Sequence, residues 1–177
     1  MPDARSANVR RNRASSSAFD TYTRPATTSP ASVPSIAVRS AGVTLSANLG
    51  ALEKDTGHWG QARASFGRAR DIFHRLGYRR GEGIVLNNLG LLELDVGRFS
   101  EARHCWEQAC ILHREVGNRR SEAYALGNLA GLCRQEGKLG EARELCQRAL
   151  ATFHEVGDTR TEAVWLFDLA LLEAEDG

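Results

Sequence analysis

Apolar residues recur at three- and four-residue spacings in paired blocks from about residue 41 onward, with a glycine after each block. Between residues 81 and 120 the first block is Val85, Leu86, Leu89, Leu92 and Val96, and the second is Phe99, Ala102, Trp106, Ala109 and Val116. Such spacing gathers side chains on one helical face, so the segment predicts two helices. Gly97 and Gly117 fall where a left-handed residue ends each helix. Ser121 and Thr161 are expected to cap the first helices that follow, with Glu122 and Glu162 set favourably against the helix dipole. No alternating strand pattern interrupts the region.

The pattern repeats with a period of 40. Gly57, Gly97, Gly137 and Gly177 mark it, as do Leu49, Leu89, Leu129 and Leu169, and Ala62, Ala102 and Ala142. Three units are predicted at about 41–80, 81–120 and 121–160, with a partial unit at 161–177. A supersecondary unit repeated at fixed spacing is the mark of a solenoid, so the expected fold is an all-α α-hairpin solenoid of three complete units plus a half unit. Ala62 and Ala69 lie two turns apart on one face, and with Gly50 or Gly90 on the partner they admit close helix packing around Phe66, Phe73 and Trp106.

Composition separates the first 35 residues from this array. All four prolines (Pro2, Pro25, Pro30, Pro34) lie there among Ser, Thr, Ala and Arg, which predicts a disordered tail over 1–35 and an array over 36–177. Arg enrichment with few acidic residues, Asp3 and Asp20, also fits an organellar transit peptide, yet the whole chain carries 21 Arg and 2 Lys, so a plain extension is expected. The net charge of +1 supplies no field for non-specific nucleic-acid binding, and no run of about 18 apolar residues supports a membrane span. Cys105, Cys110, Cys133 and Cys146 lack CxxC spacing, which fits reduced thiols in the cytoplasm.

Leu49-Gly50, Gly57, Ala62, Phe66 and Ala69, repeated as Leu89-Gly90, Gly97, Ala102, Trp106 and Ala109, form a pattern that resembles the tetratricopeptide repeat. The third unit keeps Leu129-Ala130, Gly137, Ala142 and Ala149, with Cys146 in the aromatic slot. Two departures are the 40-residue spacing, against the family's usual 34, and the missing proline at the end of the second helix. Extra length in the second helix resembles the subclass found in kinesin light chain and in bacterial regulators of this family. The resemblance implies a binding module whose first helices line a concave groove, with a place in a bacterial regulatory protein.

Groove residues should recur at the repeat period, and the polar column that does so is Asn48, Asn88 and Asn128, followed by Asp168. Asparagine is a poor helix former, so its placement in register within three helices calls for a reason. In the subclass, asparagines at this place hold the backbone of an extended peptide. The competing reading is that each amide bonds a neighbouring helix within the array. Asn87 and Leu91 share the face of Asn88, and Tyr124 and Arg134 surround Asn128. Few charges line this face, which favours a neutral or apolar peptide.

Arg79-Arg80, Arg119-Arg120 and Arg160 recur at the turns between repeats, each near Glu82, Glu122 or Glu162, so helix-end ion pairs are expected rather than contacts to nucleic acid. Cys110 and His113 are three apart, but they occupy the columns of Leu150 and of Phe73 and Phe153, which predicts core residues and no metal. No nucleophile, phosphate loop or paired-carboxylate pattern appears, so neither an enzyme nor a cofactor is expected. The last helix is apolar on nearly every side. Trp165, Phe167, Leu169 and Leu172 are expected to mediate self-association, most simply as a homodimer, unless the chain is a fragment of a longer array.

Overall fold

The computed structural model describes residues 50, 52–54 and 56–176, so the predicted tail, the start of the array and Asn48 lie outside the described residues. After the helical residues 50 and 52–54 come six helices: α1 (Trp59–Arg75), α2 (Arg79–Asp95), α3 (Phe99–Glu115), α4 (Arg119–Gln135), α5 (Leu139–Glu155) and α6 (Thr159–Asp176). No strand occurs among the described residues. This is the expected all-α repeat array.

The turns follow from glycine. Gly57, Gly77, Gly97, Gly117, Gly137 and Gly157 all adopt φ between 65° and 82°, where a side chain would clash. Around Gly77, Tyr78 N–H donates to the Phe73 carbonyl at 2.9 Å and Gly77 N–H to that of His74 at 3.0 Å. These paired bonds close the end of α1 and turn the chain back. The same pair recurs at Gly97 and Gly117.

Two expectations about the helices require correction. Helices α1 to α5 are all 17 residues long, so the extra length of the repeat is shared by first and second helices instead of falling in the second. Ser121 and Thr161 do not cap, because α4 and α6 begin two residues earlier, at Arg119 and Thr159. Thr161 N–H instead donates to the Asp158 carboxylate at 3.3 Å, and Asn118 precedes α4 without a side-chain cap.

Each helix packs on its neighbours in sequence. Twelve residues of α2 and eleven of α4 are buried, against five of α1 and six each of α3 and α5, so the first helices form the inner layer. The second helices bury only a stripe. On α1 it is Ala62, Phe66, Ala69 and Phe73, which meet Val85, Leu89 and Leu92 of α2. Burying a large apolar side chain contributes about 1.5–3 kcal/mol, so such stripes hold each hairpin to the next.

Candidate functional site

On an α-helix, residues three and four apart share a face, so Ile84, Asn88, Leu91 and Asp95 form one strip along α2. Tyr124, Asn128 and Gly131 continue it on α4, and Val164, Asp168 and Leu171 on α6. Asn88, Asn128 and Asp168 are each half-buried, at the same place on successive first helices. Among the described residues, neither Asn88 nor Asn128 has a side-chain hydrogen bond. An amide with an unused donor and acceptor can hold an extended backbone.

Three predicted groove residues are differently placed. Leu91 and Tyr124 are buried at the margins of the strip, and the Tyr124 hydroxyl lies 2.9 Å from Thr161 Oγ1, tying α4 to α6. The Tyr124 ring meets Phe153 edge-on at 5.1 Å. Asn87 is a correction: it is buried, because the next residue along a helix is turned by about 100° and here points into the α2–α3 interface. Arg134 is half-buried near the end of α4.

Asn87 belongs to a polar cluster inside repeat two. His113 of α3 is fully buried, in a column that holds Phe73 and Phe153 in the adjacent repeats. Its Nε2 lies 3.5 Å from the Asn87 amide and its Nδ1 lies 3.4 Å from that of Asn118, whose Nδ2 also donates to Ser121 at 2.9 Å. A neutral imidazole accepts at one nitrogen only. With Nδ1 accepting from Asn118, Nε2 carries the proton, and turning the Asn87 amide supplies an acceptor from Oδ1, which otherwise lacks a partner. Gly83 makes the room, since a Cβ there would stand 2.7 Å from the imidazole. Burial, aided by Arg80, pushes the His113 pKa down to about 4, against a hydrogen bond with the Gly83 backbone.

Of the turn arginines, Arg79 and Arg119 are paired with the glutamates near them, as expected. Glu122, nearly buried, accepts from Arg114 at 2.9 Å and Arg119 at 3.4 Å, and Glu82 meets His74 at 3.0 Å and Arg79 at 3.3 Å. Arg120 meets Asp158 at 2.8 Å. Sequence reasoning passed over Arg103, whose signal was the column Arg63, Arg103 and Arg143. It reaches Cys133 Sγ at 3.3 Å, Glu136 at 2.8 Å and Glu141 at 3.0 Å. Arg63 similarly grips Glu93 through two N–H groups.

Among the described residues, no group of three or more His, Cys, Asp or Glu side chains is placed to hold a metal ion. All four thiols are free. Burial pushes Cys105 up to about 11 and Cys110 and Cys146 up to about 12, so none is an activated nucleophile. No helix among the described residues is long and apolar enough to cross a membrane.

The self-association residues divide. Trp165 and Leu172 are buried, which corrects the expectation that they form an exposed patch, whereas Phe167 is 57% exposed and Leu169 half-buried. The reason lies at Gly127 of α4, where a Cβ would come within 2.4 Å of the Trp165 indole, so the missing side chain opens the slot that the ring fills.

Paired helices in a fixed register, with one strip of polar and apolar residues left partly open, define a repeat-built binding module. Two family models, each described as tetratricopeptide repeat, match residues 40–115 and 87–154, and the chain belongs to that family. Repeats of this family mediate protein–protein interaction. Among solved structures the chain is similar to BtubC (BKLC) from P. vanneervenii, with a TM-score of 0.57 and 16% identity over 75% of this chain and 63% of that one. At that identity the likeness concerns the fold alone, and the chain spans 63% of the length of that structure. No curated protein matches the chain.

Proposed function

We propose that the protein binds an extended, largely neutral segment of a partner protein along the strip carried by α2, α4 and α6. The observation behind this reading is that Asn88 and Asn128 stand half-buried in register with no side-chain hydrogen bond among the described residues. Amides that served the array would carry bonds to neighbouring helices, as Asn87 of α2 does to His113 of α3. Ile84, half-buried, adds apolar contact beside them. Binding rather than catalysis, in the cytoplasm and as part of a regulatory protein, is the role that suits this surface.

A peptide display selection on the intact chain tests the reading, with the Asn88→Ala/Asn128→Ala variant as comparison. Selected peptides should bind the variant roughly ten to a hundred times more weakly, since losing an amide partner costs about 1–3 kcal/mol. The melting temperature should stay unchanged. Peptides that bind both proteins equally, or a variant that melts well below the parent, would assign these amides to the scaffold.

A further inference from the structure

Glycines inside the first helices share one duty. Gly81 lies under the rings of Tyr78 and Phe73, Gly83 under the His113 imidazole, Gly90 under the Trp106 indole and Gly127 under that of Trp165, while Gly50, ahead of α1, lies under Phe66. A Cβ at any of these five would fall within 2.9 Å of a ring. Each missing side chain is therefore the floor of a place that a ring fills, which accounts for a residue that otherwise weakens a helix. Gly131, in the interior of α4, departs from this pattern: a Cβ there would meet nothing within 4 Å. Among the described residues it is the one glycine of a first helix that no ring of the chain covers.

Gly131 also lies on the strip. It follows Asn128 by three residues, so the two share a face. Its place is that of Leu91 on α2 and Leu171 on α6, one repeat away on either side, so the absent side chain leaves a gap in a row of leucines beside the unbonded amide. We propose that this gap seats an aromatic side chain of the partner segment, flat on the Gly131 backbone as Trp106 lies on Gly90, while the Asn128 amide holds the segment's backbone alongside. A flat ring reaches a bare helix backbone over its whole face and buries a large apolar area there. The inference rests on the reading of α2, α4 and α6 as a strip for an extended segment, and it adds the residue type that the segment must carry. Gly67 of α1 is open as well, but it lies in the outer layer beside Arg63, Arg70 and Cys105, away from the strip.

A random peptide library displayed on phage and selected on the intact chain tests the seat. Selected peptides should share a Phe, Tyr or Trp, and changing that residue to Ala should weaken binding roughly tenfold or more, as loss of an interface aromatic does. Gly131→Leu, which gives α4 the residue of its neighbours, should weaken the aromatic peptide by a similar factor, and on that variant the change of the peptide's ring to Ala should make little further difference. Its melting temperature should not fall, because the added side chain has open space and leucine is the better helix former. Gly131→Ala, with the least added bulk, should give a smaller loss in the same direction, and Gly67→Leu should leave affinity unaltered. Selected peptides without a shared ring, or a Gly131→Leu variant that binds the same peptide as tightly as the parent, overturn the inference and leave the amide reading standing. Equal binding to the Asn88→Ala/Asn128→Ala variant overturns the amide reading instead, and a loss on Gly131→Leu then still supports the seat. A library that yields no binder overturns both.

Discussion

The indole of Trp106 lies against the backbone of Gly90, so closely that a Cβ at Gly90 would fall 2.4 Å from its Nε1, while that same N–H donates to the Asn87 carbonyl at 3.2 Å. Repeat three meets the need differently: Ala130 stands where Gly90 does, and the aromatic slot holds Cys146. The two positions thus trade volume. Gly90→Ala should destabilise the protein by about 1–3 kcal/mol, the usual cost of overpacking. Adding Trp106→Cys should cost less in the Gly90→Ala background than in the parent, a coupling that urea denaturation of the four-member cycle measures. Strict additivity would mean that the contact carries no strain.

His113 predicts an acid limit to stability. Its folded pKa of about 4 lies below the ordinary value of 6.5, so the folded state binds the proton less readily than the unfolded state. Stability is therefore full above about pH 6.5 and falls as the pH drops toward 4, by about 3 kcal/mol for this group alone. His113→Phe restores the residue type of the adjacent repeats and should flatten the pH dependence of the melting temperature across that window. An unaltered slope would place the acid sensitivity elsewhere.

Glu122 sets up an asymmetry. Its side chain is 5% exposed, while those of its partners Arg114 and Arg119 are 57% and 51% exposed. Removing the glutamate leaves two arginines already half in water, but removing both arginines strands a buried carboxylate. Arg114→Ala/Arg119→Ala should therefore cost about 2–4 kcal/mol, more than Glu122→Gln, and adding Glu122→Gln to the double variant should recover part of the loss. Chemical denaturation of the three variants gives the order directly.

The helices and turns were legible because their causes are local. A glycine that must adopt positive φ and an apolar row at helical spacing both appear in the letters, and Gly57 through Gly157 mark the turns as read. Helix length was less visible, since nothing in the spacing says whether the added residues fall before or after Gly97. Asn87 and Asn88 look alike in sequence. Their separation into core and strip depends on His113, which lies 26 residues from Asn87 and becomes its neighbour only when α3 folds back. In α6 the pattern gave no answer at all: a helix apolar on every side does not say which face is buried, and Gly127 on another helix decided in favour of Trp165.

The even spacing of the helices constrains how such a chain can change its length. Helix starts fall at residues 59, 79, 99, 119, 139 and 159, so each half-unit occupies 20 residues including its turn. Losing or gaining 20 residues would reverse every later helix and place second-helix sequences in the inner layer, where more than half of the positions must be buried. A step of 40 preserves direction, layer and neighbours at once. Duplication or loss of a whole hairpin is then the smallest change in length that keeps every remaining side chain in the surroundings it already suits.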